Sequence, residues 1–199
     1  MITPEVQLGS ILHPLIERLA PRRTLTINAG AKEFTTFGAQ SDGLLVKVEI
    51  GRYSGKPSVR CNSRNLPFEG NAFNMIMLNH MYGMKEAADI LELRRVLAGG
   101  GNLIIIGRGR YGSVTDIESP KTPLFDYKSI CRLLRQQGFQ ISQCEGFGFR
   151  GRQVHWEKNW QMVALPLADL IMIRAKYSQN SHIVTPIRFG QVNLSREAV

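Results

Sequence analysis

Two short apolar runs, Phe73 to Leu78 and Leu103 to Ile106, constrain this chain more than any other feature. Each is too short for a helix and is apolar at nearly every position, as a strand buried on both faces requires. The first run meets polar Asn79 and His80 at once. Between the runs, Ala87, Ile90, Leu91, Leu97 and the aliphatic stem of Arg94 recur at helical spacing on one face, with Glu86, Asp89, Glu92 and Arg95 on the other. Gly99, Gly100 and Gly101 end that helix in this reading, because glycine takes the left-handed conformation of a helix terminus without strain. Strand, helix and strand with short links make a βαβ unit. The two runs are therefore expected as adjacent, parallel, central strands joined by a right-handed crossover.

The rest of the chain supplies the layers around that unit. Residues 4–19 predict an amphipathic helix with Val6, Ile11, Leu12, Leu15, Ile16 and Leu19 towards the core, stopped by Pro21. Strands are expected at 24–27, 44–50 and 57–61, and again at 139–144 and 168–175. A helix opening at Asp126 or Ser129 and running to Gln137, with Gly138 as its cap, precedes the sixth strand. At 199 residues and 43% apolar content the chain suits one domain, expected over 1–177, with a polar tail over 178–199.

Composition narrows the function classes. Cys61, Cys131 and Cys144 are far apart in sequence with no CxxC pair, which speaks against a structural zinc site and a disulfide framework, so no metal is expected and a reducing cytoplasm fits. No apolar run approaches the roughly 20 residues of a membrane span, and the first residues, with Glu5 and no small-residue cleavage site, do not read as a signal peptide. The net charge of +9 points towards a polyanionic partner such as nucleic acid, although the same excess also serves solubility.

The stretch from Leu66 to Gly107 resembles the second half of class I S-adenosylmethionine-dependent methyltransferases, specifically the type 11 group. The residues that carry this are Leu66-Pro67-Phe68 as the turn after the third strand, Phe73-Asn74 opening the fourth, and Arg95-Val96-Leu97-Ala98-Gly99-Gly100 leading into the fifth. The resemblance implies a Rossmann-like α/β fold with a mainly parallel seven-stranded sheet whose last strand is antiparallel. It also implies S-adenosylmethionine as cofactor and a methyltransferase activity of unspecified substrate. The alternative is a catalytically inactive descendant that uses the fold as a binding or assembly module, including on RNA.

In that family an acidic residue and a Gly-x-Gly-x-Gly loop follow the first strand, the glycines letting the backbone approach the cofactor. This chain has Asn28 in place of the acid and Gly30 as the remaining glycine, and the next strand starts so soon that the usual covering helix is expected to be short or absent. Glu49, at the end of the second strand, is the candidate acceptor for two ribose hydroxyls, against the alternative of a solvated glutamate on an exposed edge strand. Asn62 and Ser63 stand where the family reads the adenine edge. Asn79 and His80 reach the carboxyl edge of the sheet, where open α/β sheets bind ligands, and His80 is the candidate general base or pocket-lining residue. After the fifth strand, Arg108 and Arg110 between glycines make a candidate anion clamp, against the alternative of an exposed solvated loop. Arg150, Arg152 and Trp156 interleave charge with aromatics beyond the sixth strand, a mixture suited to stacking on bases or covering an apolar substrate, or to shielding one end of the sheet.

Overall fold

The computed structural model describes residues 4–28, 44–49, 59–60, 64–79, 87–109, 126–149, 152–156 and 165–178. In chain order these form α1 (Pro4–Leu19), β1 (Arg23–Asn28), β2 (Leu44–Glu49), β3 (Val59–Arg60), β4 (Phe73–Asn79), α2 (Ala87–Val96), β5 (Leu97–Arg108), α3 (Tyr127–Gln136), β6 (Phe139–Phe149), β7 (Arg152–Trp156) and β8 (Leu170–Tyr177). Among the described residues the strands build one eight-stranded sheet in the order β3-β2-β1-β4-β5-β8-β6-β7.

The two apolar runs lie where their composition requires. β4 sits between β1 and β5 and is parallel to both. Its residues from Met75 to Asn79 are buried throughout, because helices cover both faces of a central parallel strand. The antiparallel strand expected at 168–175 is β8, inserted between β5 and β6. The fold exceeds the seven expected strands by β7, which turns back on β6 with Phe149 opposite Arg152.

Two apolar clusters fill the space above and below the sheet. On one face Leu25, Ile27, Ile76, Leu78, Leu103, Ile105, Ile171 and Ile173 pack with α2 and α3. On the other, Met75, Met77, Ile104, Ile106, Leu170 and Met172 pack under Leu8, Leu12, Leu15 and Ile16 of α1. Period-two alternation along the strands sorts these residues, each fully buried aliphatic side chain contributing about 1.5–3 kcal/mol. α1 ends as expected: Ala20 adopts φ 38° before Pro21, and its amide donates to Ile16 O at 2.9 Å. Pro14 removes one amide inside the helix and lies on its exposed side. Leu8, absent from the sequence expectation, also belongs to this core.

α3 opens at Asp126, which resolves the earlier choice of cap. Its carboxylate accepts from the amides of Lys128 and Ser129 at 3.2 and 3.4 Å and from Ser129 Oγ at 2.6 Å. Gly138 closes the far end at φ 82°.

The middle of the chain differs from expectation in two respects. α2 buries Asp89, Ile90, Leu93 and Val96, while Leu91, expected in the core, is 48% exposed. The helix is rotated so that Leu93 and Val96 take the core positions; buried Asp89 is tolerated because Arg64 stands 3.8 Å away. The three glycines, moreover, do not cap the helix. α2 stops at Val96, Leu97 already pairs with Phe73, and Ala98 to Gly101 form a bulge before pairing resumes at Asn102 opposite Met75. Gly100 takes φ 77° there, and a side chain on Gly101 would come within 2.9 Å of the Asn74 carbonyl. β2 is not a bare edge either, since β3 pairs with its last two residues.

Candidate functional site at the carboxyl edge of the sheet

Parallel register brings three of the candidate site residues together. Asn28, the last residue of β1, stands opposite Glu49 of β2 on one side and Asn79 of β4 on the other. Glu49 in turn stands opposite Arg60 of β3. One row at the carboxyl edge therefore reads Arg60, Glu49, Asn28, Asn79, spanning three strand steps or about 14 Å. An elongated ligand lying across the ends of these strands meets one polar residue on each of them. Residues 28, 49 and 79 are distant in sequence, and only the strand order and register make them neighbours.

Asn79 is 2% exposed, so this amide belongs to the floor of the edge and not to its solvated rim. Gly30, Asn62, Ser63, His80, Arg110 and Arg150 lie outside the described residues. So does the segment between β1 and β2 in which the covering helix was expected to be short or missing.

The two basic candidates that are described, Arg108 and Arg152, share this edge. Arg108 ends β5, opposite Leu170, while Arg152 begins β7, opposite Phe149 at the end of β6. β8 and β6 intervene, so the two arginine positions are three strand steps, about 14 Å, apart. Trp156 lies opposite Gly146, further from the edge.

The strand ends around Arg108 are tied tightly. Gly109 N donates to Asp169 O, and Asp169 N donates to Gly148 O, both at 3.1 Å, which joins the ends of β5 and β6 to the entry of β8. Gly109 approaches this crossing so closely that a Cβ there would lie 1.8 Å from the Ala168 carbonyl oxygen. Within the candidate clamp, Gly109 is thus required for close backbone packing.

A cleft of about 280 Å³ lies at the opposite, amino edge, lined by Asn71, Leu91, Arg94, Arg95 and Tyr177. Its polar groups serve one another: Arg94 Nε donates to Tyr177 Oη at 3.0 Å, and the guanidinium sits 5.2 Å from that ring's centre. Cys131 of α3 and Cys144 of β6, unrelated by sequence spacing, also meet, and contact with Cys131 together with burial pushes the Cys144 thiol up. Among the described residues no three His, Cys, Asp or Glu side chains gather as a metal would need, and no helix is long and apolar enough to cross a membrane.

No family model and no curated protein matches the sequence. Solved structures do match the fold. A SAM-dependent methyltransferase from Archaeoglobus fulgidus aligns with a TM-score of 0.60 at 14% identity, over 85% of this chain and 93% of that one. An S-adenosylmethionine-dependent methyltransferase from Mesorhizobium loti gives 0.53 at 13% identity, over 82% and 96%. The 4+2 cyclase SpnF gives 0.54 at 14% identity, over 86% and 80%. At such identities the likeness is one of fold: this chain has the Rossmann-like fold of these methyltransferases, and the cyclase among its neighbours illustrates that this fold hosts more than one reaction.

Proposed function

We propose that the protein is a divergent S-adenosylmethionine-dependent methyltransferase whose cofactor lies across the row formed by Glu49, Asn28 and Asn79. The observation that carries this reading is the register itself, which sets three polar residues from three separated segments side by side at the ligand edge of a methyltransferase fold. The donor set suits the cofactor at Glu49, because a carboxylate accepts from two vicinal hydroxyls at once. It suits it less well at Asn28, whose amide accepts a hydrogen bond but carries no charge to pair with the cofactor's ammonium group. Asn79, being buried, offers its amide at a fixed place on the floor. The cofactor, when bound, supplies an electrophilic methyl group on a sulfonium centre. The protein's contribution is then mainly to hold donor and acceptor in line, and such positioning accounts for several kcal/mol of barrier reduction.

Loss of the charged anchor at Asn28 removes roughly 1.5–3 kcal/mol of binding, about a ten- to hundredfold weakening, and a second such loss at Asn62 would carry a micromolar ligand towards the millimolar range. Three cysteines spread along the sequence without a CxxC pair suit a reducing compartment such as the cytoplasm. Calorimetric titration of the full chain with S-adenosylmethionine tests the proposal. Saturable heat with one site per chain, lost in a Glu49→Ala variant, supports it. Absence of binding at millimolar cofactor would leave the fold as a non-catalytic binding module.

A further inference from the structure

The carboxyl edge holds a cationic donor that no described residue answers. Arg108 is half-buried, and its Nε is buried without a hydrogen-bond partner among the described residues. Buried polar groups are satisfied almost without exception, and a guanidinium N–H is more costly to leave unmet than a neutral one. The arginine is also held in place from both directions: it pairs with Leu170, and the next residue, Gly109, is locked against Ala168 and Asp169. Alternation along β5 puts Arg108 on the same face as Ile106, which stands opposite Asn79. The guanidinium therefore lies one strand away from Asn79 and two residues further out, just beyond the row assigned to the cofactor.

We propose that Arg108 binds an oxyanion, a carboxylate or a phosphate, carried by the methyl acceptor. The assignment of that anion to an acceptor rests on the methyl-transfer reading; the anion site itself does not. A guanidinium grips such a group side-on through Nε and one terminal nitrogen, two parallel hydrogen bonds, the first of which gives the unpaired Nε–H an acceptor once the half-buried side chain turns outward. A rigid strand end suits this role, because little conformational freedom is lost when the anion arrives.

The test follows the arginine Nε–H resonances of the ¹⁵N-labelled full chain, without cofactor, during titration with sodium acetate, with inorganic phosphate, and with sodium chloride at matched ionic strength. Exposed Arg132 and Arg135 serve as internal references. Arg108 Nε–H is expected to shift saturably with acetate, with phosphate or with both, the effective anion identifying the class, while chloride leaves it in place. In Arg108→Lys, which keeps the charge and loses the fork, the saturable response of the Gly109 and Leu170 amides should weaken at least about tenfold. A linear drift shared with Arg132 and Arg135, or no response, overturns the site. If the lysine variant does not fold, the titration of the unaltered chain decides by itself. Failure to bind S-adenosylmethionine with a saturable Arg108 response would overturn the methyl-transfer reading only; cofactor binding with a silent Arg108 would overturn this inference only.

Discussion

Arg95 reaches back 29 residues to Leu66, its Nη2 donating to the Leu66 carbonyl at 3.0 Å. Its Nη1 donates to Phe68 O at 2.8 Å, and its Nε and Nη2 fork onto Glu92 at 2.9 and 2.6 Å. Glu92 in turn accepts from Leu66 N at 2.7 Å. The Leu-Pro-Phe turn and the end of α2, two motif pieces that are separate in sequence, are thus one hydrogen-bonded unit ahead of β4. Arg95→Ala is expected to lower unfolding stability by about 1–2 kcal/mol, a charged network discounted for its partial exposure. Urea denaturation measures this. Arg95→Lys should recover only part of the loss, lacking the fork.

The same pair sets an acid dependence. The hydrogen bond from Arg95, opposed in part by burial, holds the Glu92 carboxyl below its ordinary value of 4.5. A depressed carboxyl contributes stability that is fully present above the unfolded value and is lost as pH falls through the folded one. The stability difference between the unaltered chain and Glu92→Gln should therefore be constant from neutral pH to about 5 and shrink below 4.5. A difference that stays level down to pH 3 would contradict the linkage.

Glycine at 109 is a packing requirement. Gly109→Ala places a Cβ 1.8 Å from a backbone oxygen and should cost about 2–3 kcal/mol, with any Arg108-dependent binding disturbed too. At Gly70 the nearest atom to an added Cβ is 3.4 Å away, so Gly70→Ala should be nearly neutral. Thermal unfolding of the two variants side by side distinguishes the positions.

Restoring the missing charge tests the cofactor reading directly. Asn28→Asp should tighten S-adenosylmethionine binding by about tenfold or more, since a charged hydrogen bond is worth roughly 1.5–3 kcal/mol. Calorimetry showing equal affinity for both chains would mean that residue 28 does not face the cofactor.

Packing on the two faces makes a contrasting pair. Leu8→Ala, in the fully buried contact of α1 with the sheet, should cost about 2–4 kcal/mol, whereas Leu91→Ala, on the exposed side of α2, should stay within about 0.5 kcal/mol. Equal losses would mean that Leu91, and not Leu93, faces the sheet.

By itself the sequence determined the elements whose signal is local. Runs such as Phe73 to Leu78 are apolar because both faces of that strand are covered, and that composition is visible without any knowledge of the neighbours. Asp126 and Gly138 likewise act within a turn of where they stand. Tertiary structure decided what depends on comparing surfaces. The rotation of α2 was misread because Leu91 and Leu93 are equally apolar, and only the sheet beneath selects Leu93. The glycines after Val96 were read as a cap, although strand pairing with Phe73 overtakes the helix first and turns them into a bulge. β7 was missed because a short strand of mixed composition acquires its identity from pairing with β6. The candidate site shows the division most clearly. Residues 28, 49 and 79 were each visible as polar ends of strands, but their alignment in one row exists only once the register of three parallel strands is set, since hydrogen bonding between strands, and nothing local to any of them, fixes which residues stand side by side.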